Sequence, residues 1–380
     1  MILDNLLIRG QAGKKQILTS DDHITAIREK EGEPAVKTEK ETIHFDDAIA
    51  LPGLINSHDH LDFNLFPQLG NRQYANYREW GRDIHDGNKN SIDAVLKIPE
   101  SLRVEWGKYK NLLNGFTTVV NHGNKIPDSD ELISVFQNCY SLHSIAFEKN
   151  WKTILNNPLK TGKPFVMHIG EGTDDMTKNE INTVIKANWF RKKIIAVHAV
   201  QIDRQQAAAF AGLVWCPASN YFLLGAMADV KNVKDILPVV FGTDSALSAS
   251  WNSWEHFRQG LAGVAITEDE LIAMLTSIPA ALWGLNDRGI LAAGKRADII
   301  VLKNKPEIAS VNPEDVLLVV HKGQVRLYDD SIASQLSWLA GKPFSRIKIK
   351  DSLKFIQGDL PDLINQIRLL RPEQEFPAGV

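Results

Sequence analysis

The sequence has few cysteines, no long apolar segment and little net charge, and each absence excludes a class of protein. The two cysteines, Cys139 and Cys216, are far apart and lack CxxC spacing, which argues against a disulfide framework or a cysteine zinc site. The apolar runs are strand-length, well short of the roughly 20 residues that a membrane-spanning helix needs. The formal net charge is −3 with both signs dispersed, so the composition gives no electrostatic basis for binding nucleic acid or an anionic membrane.

Targeting segments, internal repeats and low-complexity tracts are also missing from the sequence. Asp4 and Asn5 interrupt the first apolar run and no basic region precedes it, so we do not expect a signal peptide. Together with the scarcity of cysteine, this predicts a soluble protein of the reducing cytoplasm. The 380 residues, of which 44% are hydrophobic, are sufficient for one large barrel and an accessory module.

Short strand-like runs lie near both ends of the chain. They occur at Ile2–Ile8, Gln16–Thr19, His23–Arg28, Thr42–Phe45, Asp298–Lys303, Val316–His321 and Gln324–Tyr328. We therefore predict one small β module built from residues 1–50 and 290–345, with a charged loop at Glu31–Glu41. Residues 346–380 are predicted to form a charged tail with one amphipathic helix, Leu360–Leu370.

The middle of the chain, residues 51–289, alternates strand-like and helix-like segments, which predicts a parallel sheet. The strand candidates are Ala50–Ile55, Thr117–Val120, Pro164–Met167, Ile194–Val197, Leu213–Trp215 and Val239–Phe241, and the clearest helix candidates are Asp175–Arg191 and Arg204–Ala211. Between Asn124 and Lys163 there is little room for two complete βα units. There, Leu132–Gln137 and Leu142–Phe147 are either two strands or a helix followed by a strand, so we expect abbreviated third and fourth units.

Side chains that can bind a metal follow the strand-like runs at four places. These are LPGLINSHDH with His58 and His60, KPFVMHIGE with His168 and Glu171, KKIIAVHAV with His198, and LPVVFGTDS with Asp244. In a barrel the carboxyl ends of parallel strands converge on the face that carries the active site. Residues spread over nearly two hundred positions can therefore meet in one pocket.

The residue types at these strand ends suit a divalent metal. His58 and His60 are two positions apart, so on a strand both imidazoles point to the same side. With His168 and Asp244 they form a set typical of catalytic zinc, which leaves room for a water. Such a water loses its proton near pH 7 and becomes a nucleophile. An isolated HxH pair is more often structural, but the other three motifs favour metal binding.

Two further residues are candidates for the chemistry. Glu171 lies three residues after His168 and just beyond the strand end, where a carboxyl group can pass a proton between water and substrate. The alternative is a solvated loop glutamate, but the HxxE context favours catalysis. His198 can be a fifth ligand, an electrophile, a hydrogen-bond donor or a core residue, and we favour a role in the site.

Together, these residues resemble the amidohydrolase superfamily over roughly residues 1–330. The matching pieces, in the family's order, are PGLINSHDHLD, GFTTVVNHG, HIGE, AVHAV, CPASN, GTDS and GILAAGKRADIIVL. The HxxE pair and the CPASN motif are similar to the branch of cytosine deaminase, guanine deaminase and triazine chlorohydrolase. The resemblance implies a (β/α)₈ barrel and a composite β-sandwich made from both termini. The short segment between Asn121 and His168 departs from this branch, which usually has more chain there, and agrees with the abbreviated third and fourth units expected above.

The resemblance also implies one divalent metal ion per chain, usually zinc and sometimes iron. By resemblance, His58, His60, His168 and Asp244 are its ligands, and Glu171 shuttles protons. His198 would orient or polarise the water and the attacked group, while Asp244 would help to deprotonate the water. Relatives with two metals use a carboxylated lysine on the fourth strand. Lys160 and Lys163 lie in a turn-like stretch instead, so a single metal is favoured.

Substrate contacts are harder to assign from the sequence. Candidates that follow barrel strands are His122, Asn220, Trp251 and Trp254. Aromatic rings there can stack on a planar substrate, although tryptophans near a barrel rim also pack helices. Arg78 and Arg82 can clamp an anionic group, but we favour a solvated helix face for them.

The function expected from the resemblance is hydrolytic deamination of an aminated nitrogen heterocycle or similar small molecule, with ammonia as the leaving group. The alternative is amide or carbon–halogen hydrolysis at the same mononuclear site. A non-catalytic binding or assembly protein is a third interpretation, but the intact ligand set argues against it. Many relatives are dimers or larger, so we also expect a homo-oligomer.

Overall fold

The structure is a computed structural model that describes residues 1–29, 41–127 and 132–379. Apart from Glu41, the predicted loop at residues 31–41 lies outside the described residues. The N-terminal segment supplies four strands, β1 (Ile2–Ile8), β2 (Lys15–Ser20), β3 (His23–Glu29) and β4 (Thr42–Pro52). The strand β1 pairs in parallel with β4 and antiparallel with β2.

Eight strands in the middle of the chain form two parallel sheets. They are β5 (Leu54–Asp59), β6 (Phe116–Asn121), β7 (Ser134–Phe136), β8 (Tyr140–Ser144), β9 (Phe165–Ile169), β10 (Ile194–His198), β11 (Gly212–Trp215) and β12 (Val239–Phe241). The orders are β5-β6-β7 and β12-β11-β10-β9-β8. Just after β12, Thr243 and Asp244 donate their backbone N–H groups to the carbonyl oxygen of His58 at 3.0 Å. These bonds join the two sheets, and the result is a TIM-barrel-like α/β fold.

The third and fourth strands follow each other without a helix. Phe136 ends β7 and Tyr140 begins β8, and the three residues between them are described and non-helical. Leu132–Gln137 and Leu142–Phe147 are therefore two strands, one of the two predicted alternatives. The helix after β8 is only five residues long, so this side of the fold carries less chain than the others.

The prediction of one strand at Ala50–Ile55 is wrong in one respect. The structure has two strands there, because β4 ends at Pro52, β5 begins at Leu54, and Gly53 lies between them. A Cβ atom on Gly53 would lie 2.3 Å from Oγ1 of the buried Thr117. The backbone N–H of Gly53 donates to the carbonyl oxygen of Asp298 at 2.8 Å. The chain thus leaves the terminal sheet and enters the barrel-like sheet at a point where no side chain fits.

Helices follow most of the parallel strands. Their bounds are α1 (Tyr77–Gly87), α2 (Lys89–Leu96), α3 (Glu100–Leu113), α4 (Trp151–Leu155), α5 (Asp175–Ala187), α6 (Arg204–Ala207), α7 (Pro217–Leu224), α8 (Ser253–Gly263), α9 (Glu268–Leu275), α10 (Ser277–Leu282) and α11 (Leu360–Leu370). The helices α5 and α6 end four residues earlier than predicted; Arg191, beyond α5, has a positive φ of 48°, which a helix does not permit. Within the described residues, no helix has the length and apolarity to cross a membrane.

Branched side chains from the parallel strands pack together in the interior. Val120, Val166, Val197, Val214 and Val240 belong to one buried cluster. Such residues are typical of a barrel interior. On β9, Phe165 and Met167 alternate with Val166 and belong to a larger cluster that includes helix residues. Strands buried on both faces leave their carboxyl ends as the place where polar side chains gather.

The C-terminal segment completes a ten-stranded sheet with the N-terminal strands. Its strands are β13 (Ile299–Lys303), β14 (Val316–His321), β15 (Gln324–Asp329), β16 (Phe344–Ile349), β17 (Ser352–Gln357) and β18 (Ala378–Gly379), and the sheet order is β18-β16-β17-β15-β14-β13-β4-β1-β2-β3. The predicted module from both termini is thus one continuous sheet, in which β4 pairs with β13. The division into 1–50 plus 290–345, 51–289 and 346–380 stays a prediction.

The segment 346–380 contains more structure than the predicted tail with one helix. The helix has the predicted bounds, but β17, β18 and most of β16 also lie in this segment. Ile347 and Ile349 are buried, and the exposed Arg346 and Lys348 alternate with them. The charged side chains of Arg346 and Lys348 therefore lie on the solvent face of β16.

Candidate metal centre

Four predicted ligands meet at the carboxyl ends of β5, β9 and β12. The Nε2 atom of His168 lies 3.2 Å from Nε2 of His58 and 3.4 Å from Nε2 of His60. Oδ1 of Asp244 lies 3.7 Å from Nε2 of His58 and 3.6 Å from Nε2 of His60. The three imidazoles form a group that can hold a metal ion, and we call the four residues the ligand cluster.

The spacing of the ligand cluster fits a small divalent cation. Zinc–nitrogen bonds of about 2.0–2.1 Å place tetrahedral ligand atoms about 3.3 Å apart. The observed separations of 3.2–3.7 Å are close to this value. Two unprotonated imidazole nitrogens are both hydrogen-bond acceptors, so their close approach is not stabilised unless a cation lies between them. The donor set of three histidines and one carboxylate therefore suits a bound metal better than an internal hydrogen-bond network.

Hydrogen bonds behind the cluster orient its ligands. Nδ1 of His168 lies 3.0 Å from the carbonyl oxygen of His143, so Nδ1 carries the proton and Nε2 keeps its lone pair for a metal. Oδ2 of Asp244 accepts hydrogen bonds from Ser219 and Ser248 at 2.6 and 2.9 Å. These bonds leave Oδ1 directed at the histidines. Ser219 belongs to the CPASN motif, from which sequence reasoning selected only Asn220.

A buried polar network supports the segment between His58 and His60. Asp59 is fully buried and lies between the two ligands in sequence. Its carboxylate accepts hydrogen bonds from Asn56, Asn64, Lys110, Asn111 and Thr243, at 2.7–3.2 Å. Sequence reasoning did not find Lys110, because it is on α3, about fifty residues away. The network holds the backbone on which both histidines stand.

Glu171 and His198 face each other beside the cluster. Oε1 of Glu171 lies 3.7 Å from Nε2 of His198. On the other side of the ring, the Asn220 side-chain amide donates to Nδ1 of His198 at 2.9 Å, so Nε2 carries the ring proton. Asn220 is fully buried. Its contact in the structure is with His198, and the predicted contact with substrate stays a prediction.

The environment sets the protonation of these groups. Burial, together with Asp244 and Glu180, raises the pKa of Glu171 well above its ordinary value. Burial lowers the pKa of His60 to about 3 and that of His198 to about 4. Burial alone would raise the pKa of Asp244, but the surrounding histidines lower it well below its usual value. At neutral pH the site thus offers the neutral imidazoles of His60 and His198 and an ionised Asp244, beside a Glu171 that can carry a proton.

The backbone is strained at two of the strand ends. His198, Ala199 and Asp244 have positive φ angles of 69°, 39° and 59°. For residues other than glycine this region costs about 1–3 kcal/mol each and is concentrated at functional sites. The strained turns after β10 and β12 bring His198 and Asp244 into the site.

A cavity of about 630 Å³ opens above the ligand cluster. Its floor includes His60, His168, Glu171, His198 and Asp244. Its walls come from α1 and from the segment after β8. The residues that line these walls include Tyr77, Arg78, Trp80, Arg82, His143 and Phe147. Arg78 and Arg82 are exposed, as the predicted solvated helix face requires, and both side chains also line this pocket.

The remaining predicted substrate contacts lie elsewhere. His122 is buried beside the ligands, and its ring centroid is 4.5 Å from that of His168. Trp254 is 1% exposed and packs edge-on against Phe257, while Trp251 packs against the same core. Neither tryptophan is among the described residues that line the pocket. Both tryptophans therefore pack in the core, which agrees with the alternative that tryptophans near a barrel rim pack helices.

A family model described as "Amidohydrolase family" matches residues 152–326, which include His168, Glu171, His198 and Asp244. This match supports the predicted resemblance to the amidohydrolase superfamily. Two relatives are 5-methylthioadenosine/S-adenosylhomocysteine deaminases. The protein from Caldicellulosiruptor saccharolyticus is 23% identical, over 86% of this chain and 94% of its own length. The protein from Moorella thermoacetica is also 23% identical, over 81% of this chain and 86% of its own length.

Solved structures share the fold of this chain. An adenosine deaminase from Xanthomonas campestris with bound zinc superposes with a TM-score of 0.73 at 15% identity, over 98% of this chain and 97% of that one. A mutant atrazine chlorohydrolase from Arthrobacter aurescens, complexed with zinc and atraton, gives 0.68 at 17% identity, over 97% and 99%. The predictions of this superfamily, and of a metal-dependent hydrolase acting on carbon–nitrogen bonds, are confirmed.

Proposed function

We propose that the protein is a hydrolytic deaminase that removes an exocyclic amino group from a nitrogen heterocycle. It would use one divalent metal ion, with zinc preferred over iron, on a (β/α)₈ barrel with a composite β-sandwich. The observation that carries the proposal is the position of Glu171. Its carboxyl group lies on the floor of the same pocket as the ligand cluster and faces His198.

The chain's own residues account for the proton transfers. When bound to the four ligands, the metal supplies the Lewis acidity that activates a water as the nucleophile. Glu171 accepts a proton from that water and donates it to the ring nitrogen next to the attacked carbon. A carbon–oxygen bond forms, and the remaining proton of the attacking water passes by way of Asp244 to the amino group. The carbon–nitrogen bond then breaks and the amino group leaves as ammonia, while the ring nitrogen keeps the first proton. The raised pKa of Glu171 lets it both accept and donate a proton.

His198 and Asp244 orient the reaction. Because Asn220 occupies Nδ1 of His198, the Nε2–H group is free to donate toward the oxygen that arrives at the carbon. Asp244 is held ionised by the histidines, and Ser219 and Ser248 fix its second oxygen. It can therefore help to remove a proton from the attacking water. Preorganised donors of this kind are usually the largest contribution to such catalysis.

The walls of the pocket favour a planar, partly apolar substrate. Phe63, Tyr77, Trp80 and Phe147 give it aromatic surface, on which a heterocycle can stack. The relatives are named for adenine nucleosides carrying sulfur substituents, so an aminated purine nucleoside is the first substrate class to test. A cytoplasmic location and a homo-oligomer stay predictions.

Carbon–halogen or amide hydrolysis is the second candidate. The specific observation in its favour is the structural likeness to the atrazine chlorohydrolase, at a TM-score of 0.68. The same floor residues would serve, and the leaving group would be chloride, an acid or an amine in place of ammonia. The fold alone does not separate these reactions.

The test is metal analysis followed by a screen for the leaving group. We expect one zinc or iron per chain and release of ammonia from adenosine or 5-methylthioadenosine, but no chloride from a chlorinated triazine. Glu171→Gln should keep the metal and lose about 100-fold or more of the turnover. Release of chloride or of an acid without ammonia would move the assignment to the second candidate. Full activity of Glu171→Gln would contradict the proton-transfer role.

A further inference from the structure

We propose that Arg78 and Arg82 of α1 form a subsite for an anionic group, a carboxylate or a phosphate, on the substrate. The inference rests on the proposed function, since it locates this subsite in the same pocket as the reacting atoms. It adds that the substrate is a heterocycle joined through a spacer to a negative charge. Both arginines are exposed at the wall of the cavity and both line it.

The periodicity of α1 divides its charges between two directions. Arg78 and Arg82 are four residues apart, so both lie on one face of the helix. Glu79 and Asp83 are one position further along and lie on the neighbouring face. There, Arg72 pairs with Glu79 at 2.9 Å and lies 3.7 Å from Asp83. Glu79 and Asp83 are thus already engaged by an arginine outside the pocket.

Arg78 and Arg82 have no such partners. Across the parts of the chain that the structure describes, no carboxylate lies within 4.0 Å of either guanidinium. Nη1 of Arg78 contacts only the Sδ atom of Met176, at 3.0 Å, and a thioether is a weak acceptor. Asp86 also lines the pocket, but it is a single carboxylate beside two guanidinium groups. The wall of the pocket therefore keeps a surplus of positive charge.

An aromatic surface connects this charge to the floor of the pocket. The ring of His143 lies 5.4 Å from that of His168, and the ring of Phe147 lies 5.4 Å from that of His143. Phe147 then packs edge-on against Tyr77 at 5.4 Å. It also reaches α1 between the two arginines, where a Cβ on Gly81 would be 3.7 Å from its ring. Phe147 is 54% exposed, so its surface is available to the spacer.

This arrangement specifies the class of substrate. A planar ring on the floor meets Glu171 and His198, an apolar spacer lies along Phe147, and an anion reaches the two arginines. Planar guanidinium groups bind carboxylate and phosphate in a bidentate manner. A positive wall at the mouth also attracts anionic substrates from solution.

The experiment compares three adenine nucleosides with the zinc-loaded enzyme: adenosine, 5′-S-(2-carboxyethyl)-5′-thioadenosine, which carries a carboxylate and no ammonium group, and adenosine 5′-monophosphate. The Arg78→Gln/Arg82→Gln double variant should lose about tenfold or more in kcat/KM for an anionic nucleoside. Its kcat/KM for adenosine should not change. Whichever anionic nucleoside shows the loss identifies carboxylate or phosphate as the ligand. Arg204→Gln is the matched control, because Arg204 of α6 is exposed and pairs with Asp235.

Equal losses for all three nucleosides, or no loss for either anionic one, would overturn the subsite. The proposed function can fail separately, in which case none of the three releases ammonia. Titration calorimetry of the same nucleosides then decides. If the double variant binds an anionic nucleoside more weakly than the wild type does, and binds adenosine equally well, the subsite is supported even though the protein is not a deaminase. Identical affinities in the wild type and the double variant would reject the subsite.

Discussion

At the scale of single residues, the site depends on charges that lie behind the ligands. Asp59 separates His58 from His60 in sequence, and its buried carboxylate lies 3.2 Å from Nζ of Lys110. Lys110 is 1% exposed. A buried ion pair adds little net stability, but the loss of one partner leaves an uncompensated charge in the interior. Lys110 therefore controls whether the segment with both histidines keeps its shape.

Lys110→Met tests this dependence. We expect the free energy of unfolding to fall by about 3–5 kcal/mol, because Asp59 loses its cation. Metal content after dialysis should fall as well, since the two histidines lose their support. Denaturant melts and elemental analysis measure the two effects. Lys89→Met is the control, because its pair with Asp93 is exposed and should be worth less than about 1 kcal/mol. Unchanged stability in Lys110→Met would show that the pair does not support the ligands.

At the scale of elements, the junction between β4 and β5 limits how the terminal sheet meets the barrel-like sheet. Gly53→Ala should lower the free energy of unfolding by about 1–3 kcal/mol, as overpacking does in a closed interior. The physical reason is the clash of the new Cβ with Thr117 at 2.3 Å. Thermal melts compare it with Gly87→Ala at the end of α1, where a Cβ meets nothing within 4 Å. Equal melting temperatures for the two variants would contradict the close approach.

The strand β17 is anchored by a second buried pair, which predicts a pH dependence. Lys354 donates to Asp329 of β15 at 2.9 Å and to the carbonyl oxygen of Val316 at 2.7 Å. Burial alone would raise the pKa of Asp329, but Lys354, Ser331 and Ser352 lower it from 3.8 to about 2. Because the folded pKa is depressed, this stabilisation is fully present above pH 3.8 and is lost as the pH falls through about 2.

Asp329→Asn should therefore lower the free energy of unfolding at pH 7 by about 3–5 kcal/mol, since Lys354 remains buried without its anion. The difference from the wild type should shrink as the pH falls from 4 towards 2, where the wild-type carboxylate is also protonated. Urea melts across this range measure it. Asp235→Asn, in an exposed pair with Arg204, should have little effect at any pH. A constant difference for Asp329→Asn at all pH values would rule out the ionic anchor.

At the scale of the whole molecule, local patterns predicted most of the strands and the residues that meet at their carboxyl ends, while metal binding by these residues stays a prediction. His58, His168 and Asp244 each follow or end a short apolar run, and parallel strands bring such ends together. Contacts between distant segments could not be predicted. Lys110 lies on a helix and Trp254 lies near the rim, and nothing in their immediate sequence distinguishes a buried cation or a core ring from a substrate contact. Arg78 and Arg82 show the same limit, because periodicity defines a helix face but not what that face meets.

The ligand cluster also links distant parts of the chain, so metal removal should affect the stability of the whole molecule. His58 is on β5, His168 on β9 and Asp244 follows β12, and a bound ion would bridge all three. A ligand that binds only the folded state, at about 100 to 1,000 times its Kd, stabilises it by about 2.7–4.1 kcal/mol.

We expect a chelator to lower the melting temperature and added zinc to restore it. His58→Ala should abolish this response, while His23→Ala, an exposed histidine beside Asp22, should retain it. A chelator response in His58→Ala as large as in the wild type would mean that the metal binds elsewhere.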